Sequence, residues 1–438
     1  MAAAIGMGAL AAGCGVATPP PPPRPRYPLR IAANRRYLED QAGNPVLVQG
    51  DTPWSLVTGL TRLETETYLD DRAAKGFNSL IANLIEHKFN GPRNRYGQLP
   101  FLKAGDFSTP NEEYFAHADW VMEQAARRDI QIFLAPIYLG YDNGVNDEGW
   151  FNEVLAQGPE ACRQYGRFVG QRYGKYDNLI WLIGGDRNPG ATREHIDAFV
   201  AGLKEYDTGH LFTAHTAPES SPVDRYGKSG WLDLNATYTY GNVQLALMQD
   251  YLRDPVIPFV LIEATYENEH NSTAAQIRRQ AYYALLCGGC GQFFGNRPIW
   301  LFDPGWEAAL NGEGSRSMQH MKTFVTSRPW HRLVPDRQHI TITDGLGDFL
   351  GDDYLAAALA DDGSTLLVYM PTPRQITLNL KAIAGRRARV HWFDPRTGKP
   401  QEAGTFPISE PLQLTPPGEG DWALVVDNKE LNLPAPGQ

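Results

Sequence analysis

A chain of 438 residues with 42% hydrophobic and 21% charged side chains has the apolar surface for a large core and room for two domains. Its formal net charge of -10 argues against nucleic acid or an anionic membrane surface as the main partner, since either demands a basic face. Aromatic residues at 11%, with 10 Trp among them, suit carbohydrate stacking and core packing equally well.

The first segment reads as a targeting sequence. Residues 2–13 are small and apolar and lead through Leu10 to Cys14, and Pro19 to Pro23 follow as a proline run. The pattern resembles a bacterial lipoprotein signal with Cys14 as the lipidated residue, although Leu10 lies one position further from Cys14 than usual and no Lys or Arg precedes the apolar stretch. It falls far short of the roughly 20 apolar residues of a membrane span, and the prolines make a stiff spacer. The expectation is an exported protein, periplasmic or at the cell surface, anchored through Cys14, with residues 1–27 outside the folded domains.

Next comes a hairpin expected around Arg30 to Val48, and then eight short apolar runs separated by helical patterns. The runs are Pro45–Gly50, Phe77–Leu84, Ile130–Pro136, Leu179–Ile183, Leu211–His215, Leu232–Tyr238, Phe259–Ile262 and Gly291–Phe294. Runs rich in β-branched and aliphatic residues between Gly and Pro predict parallel strands buried on both faces. Between them, Thr61-Arg-Leu-Glu64 forms a capping-box pattern, Asn111 precedes a periodic stretch, and Pro159 suits the first turn of a helix through Tyr173. Eight strands alternating with helices over about 250 residues is the size of one α/β (β/α)8 TIM barrel, placed at 28–333.

In such a barrel the C-terminal ends of the strands carry the active site. Two runs end directly in acids. The run 178–185 leads into Asp186, followed by Arg187, and the run 258–262 leads into Glu263. An ionised carboxylate at such a position loses water unless it gains partners, so a pair of them marks a candidate acid/base and nucleophile. The competing reading is a pair of structural ion pairs. The other run ends supply Asp51 and Trp54; Asn83, Glu86 and His87; Tyr138; His215; Tyr238 and Tyr240; Asn296 and Trp300. Together with Arg187 these residues are expected to bind a sugar in one polar, aromatic pocket, although each alone is as compatible with a structural role. No metal and no other cofactor is expected. His87, His215 and His270 show no metal-ligand spacing, and Cys287-Gly-Gly-Cys290 lacks a second pair, so small residues at a tight strand entry explain it better.

From about residue 334 the character changes to short alternating strands with turns at Asp361-Asp-Gly363, Pro395-Arg-Thr-Gly398 and Pro416–Gly420. That predicts a small all-β sandwich over 334–438, with Trp392 and Trp422 in its core. Asp344, Asp348, Asp352 and Asp353 lie among glycines without an EF-hand pattern and read as a solvated loop.

Several stretches carry a family resemblance. Gln49–Trp54, Asn83–Phe89, Ile183–Asn188, Tyr238–Tyr240, Ile262–Glu267 and Gly295–Trp300 resemble the apiosidase-like catalytic domain, a group that includes glycoside hydrolase family 140. The tail, with Trp392–Gly398 and Pro416–Trp422, resembles the β-domain that commonly follows it, sometimes given a collagen-binding name. The resemblance spans about residues 28 to 428. It implies a retaining glycosidase with Asp186 as acid/base and Glu263 as nucleophile, acting on a carbohydrate such as a pentofuranoside. One departure stands out: the wider superfamily of retaining barrels has Asn-Glu where this chain has Gly185-Asp186, which sets the acid one methylene further back. For this chemistry Asp186 must hold a proton at rest, so the Arg187 guanidinium is expected to point elsewhere. Two other readings compete: a non-catalytic carbohydrate-binding lipoprotein on a hydrolase scaffold, and a metal-dependent hydrolase. Oligomeric state has no signature in the chain.

Overall fold

The computed structural model describes residues 24–438, so the expected signal and Cys14 lie outside the described residues. Three two-residue strands, 30–31, 38–39 and 45–46, form a small antiparallel sheet at the start. Eight parallel strands follow: β1 (Val48–Asp51), β2 (Ser79–Asn83), β3 (Gln131–Ala135), β4 (Leu179–Gly184), β5 (Phe212–His215), β6 (Asn235–Tyr238), β7 (Phe259–Glu263) and β8 (Gly291–Phe294). They pair in the order β5-β4-β3-β2-β1-β8-β7-β6. Backbone N–H groups of Asp233 and Leu234 donate to the Phe212 carbonyl across the remaining seam, giving a near-closed barrel.

Strand alternation sets the two faces. Ile81, Phe133, Ile180, Leu182, Ala236, Val260, Ile262 and Phe293 fill the barrel interior, while Leu80, Ile132, Leu134, Leu179 and Trp181 face the surrounding helices. Gly50 makes the interior fit: a Cβ there would stand 2.1 Å from the Phe293 ring. The main helices are α1 (Arg62–Ala74), α2 (Glu112–Arg127), α3 (Phe151–Tyr173), α4 (Arg193–Lys204), α5 (Pro222–Tyr226), α6 (Val243–Tyr251), α7 (Ala274–Leu286) and α8 (Glu313–Thr326). The expected capping box forms, with the Thr61 side chain accepting from Glu64 N–H and the Glu64 carboxylate from Thr61 N–H. Helix α3 departs from expectation. It begins eight residues before Pro159 and breaks at Gly158, whose φ of 79° suits glycine, so that Pro159 restarts the helix where no N–H is needed. Cys287 and Cys290 are buried, and burial pushes both thiols up to about 12, which leaves them unreactive packing groups. No helix among the described residues is long and apolar enough to cross a membrane.

The C-terminal domain is antiparallel throughout. Its nine strands are β9 (Leu333–Pro335), β10 (Ile342–Asp344), β11 (Ala356–Ala360), β12 (Thr365–Met370), β13 (Ile376–Asn379), β14 (Arg387–Asp394), β15 (Lys399–Pro407), β16 (Pro411–Leu414) and β17 (Trp422–Asn428). They form a six-stranded sheet, β9-β11-β12-β17-β14-β15, and a three-stranded sheet, β10-β13-β16. Trp392 and Trp422 are buried between them, edge to face at 6.3 Å, as the alternating pattern predicts.

The outer face of the larger sheet rests on α7 and α8. Tyr282 stacks on Tyr369 at 4.4 Å, and Phe324 lies against Phe393 at 4.9 Å. Two buried ion pairs join the domains. Arg278 forks onto Asp421 at 2.7 and 2.8 Å, and Arg328 onto Asp427 at 2.8 and 2.7 Å. Removing one partner of such a pair strands a charge in a dry interface. Arg278→Ala is therefore expected to cost about 3–5 kcal/mol in thermal or urea unfolding while leaving kcat/KM per folded molecule unchanged. The acidic loop 344–353 packs on the barrel's flank: Gln244 donates to the Phe349 carbonyl, Asn242 to that of Leu350, and Arg279 pairs with Asp352 at 2.7 Å. No residue of this loop lines the pocket described next.

Candidate active site

Two local backbone features aim the two acids. Strand β7 pairs with β6 through a register shift between Leu261 and Glu263. Val260 and Ile262 already fill the barrel interior, so plain alternation would send Glu263 outward, and the bulge turns it inward. At the end of β4, Gly184, Gly185 and Asp186 take φ of 88°, 141° and 46°. This left-handed turn lifts Asp186 over the barrel mouth, and only glycine suits the first two positions. A Cβ on Gly185 would stand 2.2 Å from the Tyr138 ring. Gly185-Asp186 is part of this turn. Gly185→Ala is expected to lower stability by about 1–3 kcal/mol and to displace Tyr138 from Asp186, with a loss of turnover exceeding the loss of folded protein in a paired unfolding and activity assay.

The acids face each other. One carboxylate oxygen of Asp186, one of Glu263 and a ring nitrogen of His215 all lie within 4.8 Å of one another. Glu263 is 6% exposed; its Oε1 accepts from the Tyr240 hydroxyl at 2.8 Å and its Oε2 from His215 Nε2 at 3.2 Å. Asp186 Oδ2 accepts from the Tyr138 hydroxyl at 2.5 Å. The Asp186 backbone N–H donates to His215 Nδ1 at 3.2 Å, which leaves the proton of the neutral ring on Nε2, pointing at Glu263. Burial opposes a charge on His215, but its bond to Glu263 and the charges of both acids raise its pKa above the ordinary histidine value. Burial, then the charge of Glu263, lifts Asp186 from 3.8 to about 6, against the opposing effects of His215 and Tyr138. Burial and the nearby acids raise the phenols of Tyr138, Tyr238 and Tyr240, so they remain hydrogen-bond donors. Asp186, His215 and Glu263 are close enough to ligate one metal ion together, and in this structure both nitrogens of His215 meet protein partners, Asp186 N–H and Glu263. His87 bonds Glu153 instead, and the three histidines do not converge.

The cavity around the acids measures about 700 Å³, within the range of small-ligand sites. Of the residues expected to bind sugar, Trp54, Tyr138, Tyr238, Tyr240 and Trp300 line it, and His215 lies just behind Glu263. The others do not line it. Asp51 is fully buried against Arg72 at 3.1 Å and the Tyr68 hydroxyl at 2.7 Å, because alternation along β1 turns it toward α1. Glu86 is buried beside Ser55, Thr58 and Asn83, and accepts from the Asn90 backbone N–H. His87 belongs to a separate cleft with Trp150 and Glu153. Arg187 points away, as the acid's chemistry requires, to Asp142 at 3.1 Å and over the Phe151 ring at 3.8 Å. Asn296 donates to Glu267. The sequence reading missed Phe89, Glu148, Thr265, Tyr266, Glu269, His270 and Gln276. Phe89 and Tyr266 stood inside motifs already singled out, at positions where chain direction after the strand decides which side chain enters. Tyr266 accepts from Trp54 Nε1 at 3.1 Å, and Phe89 meets Trp300 edge to face at 5.2 Å.

Residues 32–332 match the family model described as "Apiosidase-like, catalytic domain", and residues 334–427 match a model that carries the name of a collagen-binding domain of a collagenase. A solved structure described as a glycoside hydrolase superposes with a TM-score of 0.81 at 23% identity, covering 92% of this chain and 97% of its own. A glycoside hydrolase family 5 structure from Bacteroides vulgatus gives a TM-score of 0.81 at 24% identity, over 92% of this chain and 94% of its own. At these identities the likeness is one of fold. No curated protein matches the chain.

Proposed function

The chain belongs to the apiosidase-like catalytic-domain family, and on that premise we propose that it is a retaining glycoside hydrolase that releases a terminal pentofuranoside, apiose-like or arabinofuranose-like, from plant or bacterial glycans. The observation that carries the reading is the facing pair of acids in unequal surroundings. Glu263 is held by two donors, as an ionised nucleophile needs, while Asp186 is raised to about 6, as a resting acid needs. One oxygen of each lies within 4.8 Å of the other, which fits the roughly 5–5.5 Å between the carboxyl groups of retaining pairs better than the roughly 6.5–9.5 Å that admits an attacking water between them.

The proposed sequence is double displacement. Glu263 attacks the anomeric carbon as Asp186 passes its proton to the departing oxygen. Asp186, now ionised, takes a proton from water, and that water opens the glycosyl-enzyme. Tyr138 steadies Asp186 when it is charged, and Trp54 and Trp300 offer ring faces to the sugar and the group beyond it. Localisation remains as proposed from the N-terminal segment: exported and anchored through Cys14. A non-catalytic binding protein would have no need to set two acids face to face, one of them raised to about 6.

Screening aryl glycosides of several furanoses tests the proposal. Turnover of at least one is expected, and inertness toward all of them, with pyranosides cleaved instead, overturns the pentofuranoside assignment. The pH profile adds a second check. kcat/KM is expected to fall as pH rises through about 6, where free Asp186 gives up its proton. Stability follows the same group. The folded state keeps the proton up to about 6 while the unfolded chain releases it near 3.8, so folding stability declines across that window as pH rises. Asp186→Asn should abolish the decline and be more stable at pH 8 by on the order of 2–3 kcal/mol in urea unfolding.

A further inference from the structure

One donor to the nucleophile is weakly packed. Tyr240 is 45% exposed and its ring contacts are edge-on, to Tyr238 at 5.4 Å and His270 at 5.8 Å, yet its hydroxyl donates to Glu263 Oε1 at 2.8 Å. Little packing grips such a ring, so the backbone of the loop after β6 decides where the hydroxyl falls. That backbone is held from the neighbouring loop. Glu219, four residues beyond the end of β5, accepts the Tyr240 N–H at 2.9 Å and the Gly241 N–H at 3.0 Å on Oε1, and the Thr239 hydroxyl at 2.7 Å on Oε2. Consecutive N–H groups aimed at one anion form a nest, and the anion orders the backbone that makes it. The Glu219 backbone N–H donates in turn to the Tyr238 carbonyl at 3.0 Å. Its own loop is pinned, because the Ser220 hydroxyl donates to Asn188 at 2.8 Å and accepts from Arg225 Nε at 2.7 Å. Glu219 has a φ of 60°, in the left-handed region where glycine is at ease and a longer side chain is not. What glutamate adds there is the carboxylate.

We infer that Glu219 is a positioning residue for the nucleophile, acting through Tyr240: by fixing the loop after β6 it keeps the tyrosine hydroxyl on Glu263. The inference rests on the glycosidase reading and adds to it a residue that does not line the pocket. The hydroxyl serves both steps. It orients and stabilises the carboxylate before attack, and again as the carboxylate departs when water opens the glycosyl ester. Without the Glu219 carboxylate, the N–H groups of Tyr240 and Gly241 turn to water, the loop samples other conformations, and the hydroxyl spends less time on Glu263. The loss falls on kcat rather than KM, because the bond concerned is one to the reacting group.

The test compares Glu219→Gly, Tyr240→Phe and the double variant Glu219→Gly/Tyr240→Phe on an aryl furanoside that the parent turns over. Glycine suits the left-handed backbone at 219, so this variant removes the carboxylate without straining the turn. Each single variant is expected to lose about tenfold in kcat with KM within about twofold of the parent. The double variant should fall no more than about twofold below Tyr240→Phe, since both changes break the same bond. Glu219→Gln keeps one acceptor oxygen for the Tyr240 N–H and should regain at least about a third of the parent kcat. A residue that merely stabilised the fold would instead give losses that multiply in the double variant. Such multiplication, or an unchanged kcat in Glu219→Gly or in Tyr240→Phe, overturns the inference. If the parent cleaves no glycoside, the glycosidase reading fails, and a crystal structure of Glu219→Gly decides the positioning role by itself. The Tyr240 hydroxyl is expected to stand beyond hydrogen-bond reach of Glu263, more than about 3.5 Å away, and a bond kept at its present length counts against the inference.

Discussion

Glu263→Gln is expected to abolish turnover of every substrate, by a factor of about 10⁴ or more, however good the leaving group. The amide keeps the size of the side chain, and its oxygen and nitrogen can still meet Tyr240 and His215, so the fold should be undisturbed. What it loses is the ability to form a glycosyl ester, and no other acid stands where it can replace it, since Asp186 approaches from the opposite wall. Azide should restore activity to this variant only by direct attack, giving a glycosyl azide of inverted configuration. A residual rate within tenfold of the parent would show that Glu263 is not the nucleophile.

Asp186→Asn is expected to split substrates by leaving group. Aryl glycosides with acidic phenols need no proton and should retain the glycosylation step, whereas alkyl glycosides and glycans should lose about 10²–10⁴ in kcat/KM. The second step also suffers, because nothing deprotonates the water. Azide, which needs no base, should therefore accelerate turnover of the activated compounds and yield a glycosyl azide of retained configuration. The decline of kcat/KM with pH near 6 should vanish for those compounds, since the group that titrates is gone. Equal loss for good and poor leaving groups would remove Asp186 from the acid/base role.

The barrel was legible because parallel strands buried on both faces must be continuous apolar runs, and each run sits between turn residues. The two acids were legible because they follow such runs directly. What the linear order hides is the local backbone. The bulge that turns Glu263 inward and the left-handed turn at Gly184–Asp186 leave no periodic trace beyond a pair of glycines. The same limit explains the misplaced sugar ligands. Asp51 sits one residue past inward-facing Gly50 and so meets Arg72 on α1, twenty-one positions away, rather than the pocket. Phe89, not His87, enters the cavity because the chain after β2 doubles back over Glu86. Glu148 and Glu269 come from long loops, where neither spacing nor hydrophobic pattern indicates which way a side chain faces. The β-domain was read correctly down to its two core tryptophans, since alternation there is plain.

Trapping the intermediate tests the central claim most directly. An aryl 2-deoxy-2-fluoro furanoside slows both steps, and a good leaving group lets the first outrun the second, so the glycosyl-enzyme accumulates. Intact-mass measurement should show one added fluoroglycosyl unit per chain, peptide mapping should place it on Glu263, and Glu263→Gln should take up none. An adduct on another residue, or no adduct together with product of inverted anomeric configuration from the corresponding unfluorinated substrate, would contradict the account.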